Sequence, residues 1–344
     1  MPTKKDLDKA RREKEIADGL VRLSRQATST KELRASVRAL TRELDETRRD
    51  LAIAIGSSGL KPIKIKKRKS ARGSVVPVLL FSDWHIEEIV PADQTDGLNE
   101  YNLDIAKLRM ERLLENSAKM ISSEIEKSKV SEAVVWLGGD FLSGYIHDEL
   151  IETTLMPPLR TAEVVYEWLM GALKFIADQT KVERVLIPTS YGNHGRITTG
   201  KPRYATAPYH NVEQMVYRSM SRDLSDDDRF VFDVRDTRVK ILDIDGFKLR
   251  VHHGDDLRYQ GGTGGFHAPL VNLIRRWDQM TPAHFTVMGH YHTMTPLRFA
   301  CINGSLIGPS EYSRRFGSER PTQTFLVLDK ERNELAGVSP IWVE

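Results

Sequence analysis

Five short clusters of metal-binding residue types punctuate the chain: Asp83-Trp84-His85, Gly138-Gly139-Asp140, Gly192-Asn193-His194, His252-His253-Gly254 and Gly289-His290-Tyr291-His292. Two carboxylates (Asp83, Asp140), one carboxamide (Asn193) and four imidazoles (His85, His253, His290, His292) make a donor set that suits a pair of divalent ions of intermediate hardness, such as manganese, iron or zinc. The single cysteine, Cys301, excludes an internal disulfide and any Cys-rich metal site. On an extended chain, residues two apart point the same way, so Asp83 and His85 can reach one ion together. His290 and His292 share that spacing, and each could reach a different ion. The glycines before Asp140, Asn193 and His290 would let the backbone turn sharply enough to aim the next side chain inward. Chance yields an Asp-x-His about once in a chain of this length, but Gly-Asn-His and Gly-His-x-His are each expected with a probability of roughly a few hundredths or less. His210, His267 and His284 stand outside the clusters and read as surface or core histidines.

The clusters need elements to carry them, and each lies directly or closely behind an apolar run. The pattern predicts strands over 75–81, 133–137, 184–188 and 285–288, with shorter ones over 229–234, 239–244 and 247–252. Asp245-Gly246 joins the last two as a hairpin. Helices are expected over 104–127, 160–178, 212–222 and 269–277. Strands alternating with helices, with a hairpin inserted late, argue for an α/β body with mixed sheets. Ligand sites in open α/β sheets assemble at the carboxyl ends of strands, where all five clusters fall.

Charge divides the chain in two. Residues 1–72 hold 21 Lys and Arg against 10 Asp and Glu, a surplus of +11, whereas 73–344 carry 30 against 38, or −8. Residues 1–56 read as a charged helical arm. Its second helix opens on a Ser29/Glu32 capping box and carries Leu33, Val37, Leu40, Leu44 and Leu51 along one seam. That seam is short, so a hairpin within the arm and a homodimer through it stand about even. A basic linker follows over 57–74, where Lys64, Lys66, Lys67, Arg68 and Lys69 arrive without an acid between them; a solvated tether and a DNA-backbone contact are its two readings. Residues 75–344 form the remaining domain. The apolar runs are too short to span a bilayer and the N-terminus lacks a signal-like apolar stretch, so a cytoplasmic protein with no membrane contact is expected.

The ordered set Asp83-x-His85, Gly139-Asp140, Gly192-Asn193-His194, His253-Gly254 and Gly289-His290-x-His292 resembles the calcineurin-like metallophosphoesterase family over essentially residues 75–344. The resemblance implies a two-sheet β sandwich flanked by helices (α/β/β/α) around two divalent ions, manganese first, with iron, zinc or magnesium as alternatives. By the same resemblance Asp83, His85 and His292 hold one ion, Asn193, His253 and His290 the other, and Asp140 bridges them. His194 is the catalytic histidine that contacts the phosphate and protonates the leaving oxygen. Two such cations would stabilise both the attacking and the leaving oxygen of an in-line displacement.

Within the family the likeness leans toward SbcD-type DNA repair nucleases and phage-encoded relatives, through 303–317 and the strand expected over 324–328. It implies a phosphodiesterase acting on DNA as an exonuclease, in DNA repair, recombination or phage DNA metabolism, and in the host cytoplasm if phage-encoded; an ATPase partner of the SbcD kind is left open, since little chain remains to dock one. Arg196, Lys201 and Arg203, with His147 as a further phosphate contact, are candidate substrate-binding residues. A phosphatase for phosphoproteins or small esters, and a nucleic-acid-binding scaffold with an idle metal site, are the alternatives. One departure stands out. The family usually has an acidic residue after Gly-Asn-His, and here Gly195 follows, which leaves the orientation of His194 without an evident carboxylate; Asp148, Glu149 and Asp255 are the nearby candidates.

Overall fold

The computed structural model describes residues 18, 73–198, 200, 205–257, 265, 267–310 and 319–344. The chain divides into two compact units, Met1–Lys69 and Ser70–Glu344, and the second holds every described strand. The helical arm lies outside the described residues except for Asp18, and so does the basic linker up to residue 72. In chain order the strands are β1 Val75–Phe81, β2 Glu132–Leu137, β3 Arg184–Pro188, β4 Phe230–Asp233, β5 Lys240–Ile244, β6 Phe247–Val251, β7 Phe285–Met288, β8 Thr295–Pro296, β9 Ala300–Ile302, β10 Thr322–Asp329 and β11 Glu334–Trp342. The α-helices are α1 Leu103–Lys127, α2 Asp148–Thr153, α3 Pro158–Thr180, α4 Val212–Asp223 and α5 His267–Met280. No helix among the described residues is long and apolar enough to cross a membrane.

Six strands build one sheet in the order β11-β10-β1-β2-β3-β4, and five build a second in the order β5-β6-β7-β9-β8. β1 to β4 run parallel, β10 and β11 antiparallel to their neighbours, and in the second sheet β6, β7 and β9 are parallel. The side chains of β1 show why the sheets stack. Val76, Val78 and Leu80 point to one face and meet Phe247, Leu249, Val251, Phe285 and Val287 of the second sheet. Leu79 and Phe81 point to the other face, among side chains of α1, α3 and α4. A strand covered on both faces reads as an unbroken apolar run, which is what 75–81 shows. On the far face of the second sheet, α5 packs Leu270, Leu273 and Ile274 against Met288, Ala300 and Ile302. The layers are therefore helix, sheet, sheet, helix, as expected.

Local chemistry sets the helix starts. Asn102 caps α1 by accepting the Ile105 amide at 3.0 Å, Pro158 opens α3, and Asn211 caps α4 by accepting from the Glu213 amide. β8, β9, β11 and α2 escape periodicity analysis. β8 and β9 have two and three residues, α2 has six, and β11 contains Gly337 and Pro340, which a sheet-edge position tolerates.

One buried charge links the two sheets near the carboxyl end of β3. Lys240, which opens β5, is about 1% exposed and donates to the Thr189 carbonyl and, at 3.2 Å, to its hydroxyl. Burial pushes its ammonium down to about 8 from 10.5. The charged form is thus penalised in the fold below pH 8, by on the order of 3 kcal/mol, and the penalty fades as pH rises from 8 to 10.5. Lys240→Met should gain stability relative to the native chain at pH 7 and lose that relative gain by pH 10.5. Urea unfolding of both proteins at the two pH values measures it, and a pH-independent difference would contradict it.

Candidate metal centre

The strands of both sheets end at one place. Backbone bonds carry the ladder of the first sheet slightly past its strands, with the Asp83 amide on the Gly139 carbonyl at 2.9 Å and the His85 amide on the Asp140 carbonyl at 3.2 Å. In the second sheet the Gly289 amide bonds the His253 carbonyl at 2.7 Å. Asp83, His85, Asp140, His290 and His292 then adopt left-handed backbone angles, with φ of 58°, 48°, 55°, 74° and 54°. Each such non-glycine residue costs on the order of 1–3 kcal/mol and persists only where its surroundings over-determine it. The turning expected of the preceding glycines is thus done largely by the candidate ligands themselves; Gly139, at φ 90°, is the one of the three that turns too. Gly192 and Gly289 serve another purpose. A Cβ on Gly192 would sit 2.0 Å from Asp140 Oδ1, and one on Gly289 would sit 2.3 Å from Asp83 Oδ2, so both leave room for a carboxylate.

All seven expected ligands converge. Asp83, His85 and His292 form one group able to hold a metal ion and Asp140, His253 and His290 another, with the ligand atoms of each group within 4.8 Å of one another. Asp140 also groups with His85 and His194, which places its carboxylate between the two sets. His253 Nε2 lies 2.9 Å from Asp140 Oδ2 and 3.3 Å from Asn193 Oδ1, while His85 Nε2 and His292 Nε2 face each other at 3.2 Å. The outward nitrogens are held: His85 Nδ1 by Ser143 Oγ at 2.9 Å, and His253 Nδ1 by the Gly138 carbonyl at 2.8 Å. Partners of this kind fix which ring nitrogen faces an ion.

Burial keeps three of the four candidate rings neutral. Burial holds His290 down to about 4 and His292 down to about 3, and lowers His85 well below its ordinary value, so these rings keep free lone pairs at neutral pH. Burial opposes ionisation of Asp140, but His253 and His194 outweigh it and hold this carboxyl well below the usual range. Burial also pushes Asp83 up to about 7. His253 runs the other way: against burial, Asp140 carries it to about 10, so an ion there would have to displace its proton. A buried set of two carboxylates and four imidazoles, three of the rings held neutral, on strained backbone fits a pair of divalent cations.

His194 is positioned by a group the sequence does not flag. Its Nδ1 sits 2.7 Å from the Ser143 carbonyl, and its amide donates to Asp140 Oδ1 at 2.9 Å. Neither Asp148, Glu149 nor Asp255 holds that Nδ1. Ser143 is fixed in turn by Glu87, fully buried, whose Oε1 accepts the Ser143 and Gly144 amides at 2.8 and 3.1 Å. No spacing rule links Glu87 to a loop 56 residues on.

A cavity of about 260 Å³ opens over the group and is lined by His85, Asn193, His194, His290 and His292, with His147 and Arg196 beside them. Arg196 is half-buried; its Nε is buried without a hydrogen-bond partner. His147 is exposed, its ring 6.3 Å from that of His194. Lys201 and Arg203 lie outside the described residues, as do Lys64, Lys66, Lys67, Arg68 and Lys69. His210 and His267 are exposed, His284 stacks on Phe247, and His252 turns away against Trp277.

The sequence matches no family model, and no curated protein matches it. Among solved structures it is similar to a zinc-complexed Vps29 from Entamoeba histolytica (12% identity, 77% of this chain and 97% of that one, TM-score 0.32). It is also similar to a hypothetical protein, PH1004, from Pyrococcus horikoshii (13%, 78% and 88%, 0.36) and to the sulfate thiohydrolase SoxB from Thermus thermophilus (12%, 80% and 57%, 0.30).

Gly192→Ala should displace Asp140 and weaken manganese binding by about 10- to 100-fold in calorimetric titration. Gly171→Ala, on α3 with open space around its Cα, should leave binding unchanged. Equal affinities for the two variants would contradict the packing argument.

Proposed function

We propose that residues 75–344 form a calcineurin-like metallophosphoesterase domain, a hydrolase that cleaves phosphodiester bonds in DNA with two divalent ions, manganese by preference. The observation that carries this reading is the pair of ligand groups flanking Asp140 with His194 beside them at an open cavity. When bound, the cations would supply charge stabilisation at the attacking and leaving oxygens. Asp83, His85 and His292 would hold one, Asn193, His253 and His290 the other, and Asp140 both. His194 acts from its own tether. With Nδ1–H given to the Ser143 carbonyl, its protonated ring presents Nε2–H as the acid for the leaving alkoxide. Arg196, which lines the cavity, would offer charge-assisted bonds from its guanidinium to a phosphate beside the scissile one.

DNA is favoured by the basic stretch around Lys64 to Lys69, which would add sequence-independent affinity. A second reading has its own support. Glu88 and Glu149 also line the cavity and would oppose the phosphates that flank a scissile bond in a strand, whereas a small monoester presents a single phosphate to the metal centre.

The test is degradation of labelled linear DNA against hydrolysis of a chromogenic monoester, with manganese, by the full chain. DNA cleavage is expected to fall by about 10²- to 10⁴-fold in His194→Ala, with metal content unchanged. Asp140→Ala should lose metal and activity together. Monoester turnover alone would move the assignment to a phosphatase; metal binding without either reaction would leave a scaffold.

A further inference from the structure

We propose that Glu213 is a positioning residue of the candidate metal centre, tying the loop after β2 to the loop after β3 from the first turn of α4 and occupying the space that a side chain next to His194 would need. The proposal rests on the metal reading of the site. Glu213 is fully buried. Its Oε1 accepts the amide of Phe141, directly after Asp140, and its Oε2 accepts the amide of Gly192, directly before Asn193, each at 2.7 Å. One carboxylate thus fixes the backbone on either side of the central donors of the site. Asn211 completes the join: its Oδ1 caps α4 through the Glu213 amide at 3.0 Å, while its Nδ2 donates to the Gly192 carbonyl at 2.8 Å. The Val212 amide bonds the Gly195 carbonyl, also at 2.8 Å.

This arrangement explains Gly195. A Cβ there would lie 2.6 Å from Asn211 Oδ1 and 3.0 Å from Glu213 Cγ, so the volume beside His194 is already filled by α4.

The role requires two acceptors, not bulk. A carboxylate satisfies both amides, whereas a carboxamide of the same shape satisfies one and turns an NH₂ toward the other. Glu213→Gln therefore separates tethering from packing, and Glu213→Ala removes both links. Manganese titration of the full chain is expected to show affinity reduced by about 10- to 100-fold in Glu213→Gln and further in Glu213→Ala, with the circular dichroism of the Gln variant native. Amide exchange of Phe141 and Gly192 in the metal-free proteins should be faster in both variants. Native affinity in Glu213→Gln, while the unaltered chain binds manganese, overturns the positioning role alone. An unaltered chain that takes up no manganese overturns the metal reading and the proposal with it.

Discussion

Crowding of donor atoms in a dry volume is the constraint around which this domain is organised. Asp83, Asp140, His85, His253 and His292 are each 8% exposed or less, and their polar atoms point at one another. Packed together, such groups compete for protons: burial pushes Asp83 up to about 7, while Asp140 carries His253 to about 10 against burial. An acid and a base side by side, both displaced upward so far from their ordinary values, mark a candidate functional site. Left-handed backbone at five of the donors adds strain that ordinary packing would have no reason to keep.

The donors were legible in the sequence because metal chemistry restricts residue type and strand geometry restricts spacing. Asp83 and His85, or His290 and His292, announce themselves by being two apart behind an apolar run. What holds them did not. Ser143 anchors His194 through a backbone carbonyl, which any residue possesses, and Glu87 and Glu213 act on loops 56 and 72 residues away from their own positions. Such partners carry no local pattern. The glycines were legible as exceptions, but their reason was not: that Gly192 and Gly289 yield space to carboxylates depends on where Asp140 and Asp83 sit in three dimensions.

The same division runs through the fold. Strands buried on both faces, such as β1, and the long amphipathic helices α1 and α3 follow from composition and period alone. β11 alternates partly exposed residues, includes a proline and a glycine, and gains its identity only by pairing with β10 along the edge of the first sheet. β9 is three residues long and exists because β7 lies beside it. Pairing energy from a distant segment decides these elements, and no window of sequence contains it.

The origin of the donors ties the layers to the chemistry. Asp83, Asp140 and Asn193 follow β1, β2 and β3 of the first sheet, whereas His253, His290 and His292 follow β6 and β7 of the second. The two groups on either side of the site therefore both draw on the two sheets, Asp83 and His85 with His292 in one, Asp140 with His253 and His290 in the other. The separation of the groups is consequently set by how the sheets pack, through Leu80, Val251, Val287 and their neighbours. Protein interiors are dense and deform little, so a methylene lost from that layer is felt at a distance rather than absorbed in place. The apolar core between the sheets thus acts as the spacer of the site, and the two layers that look like scaffold are part of its geometry.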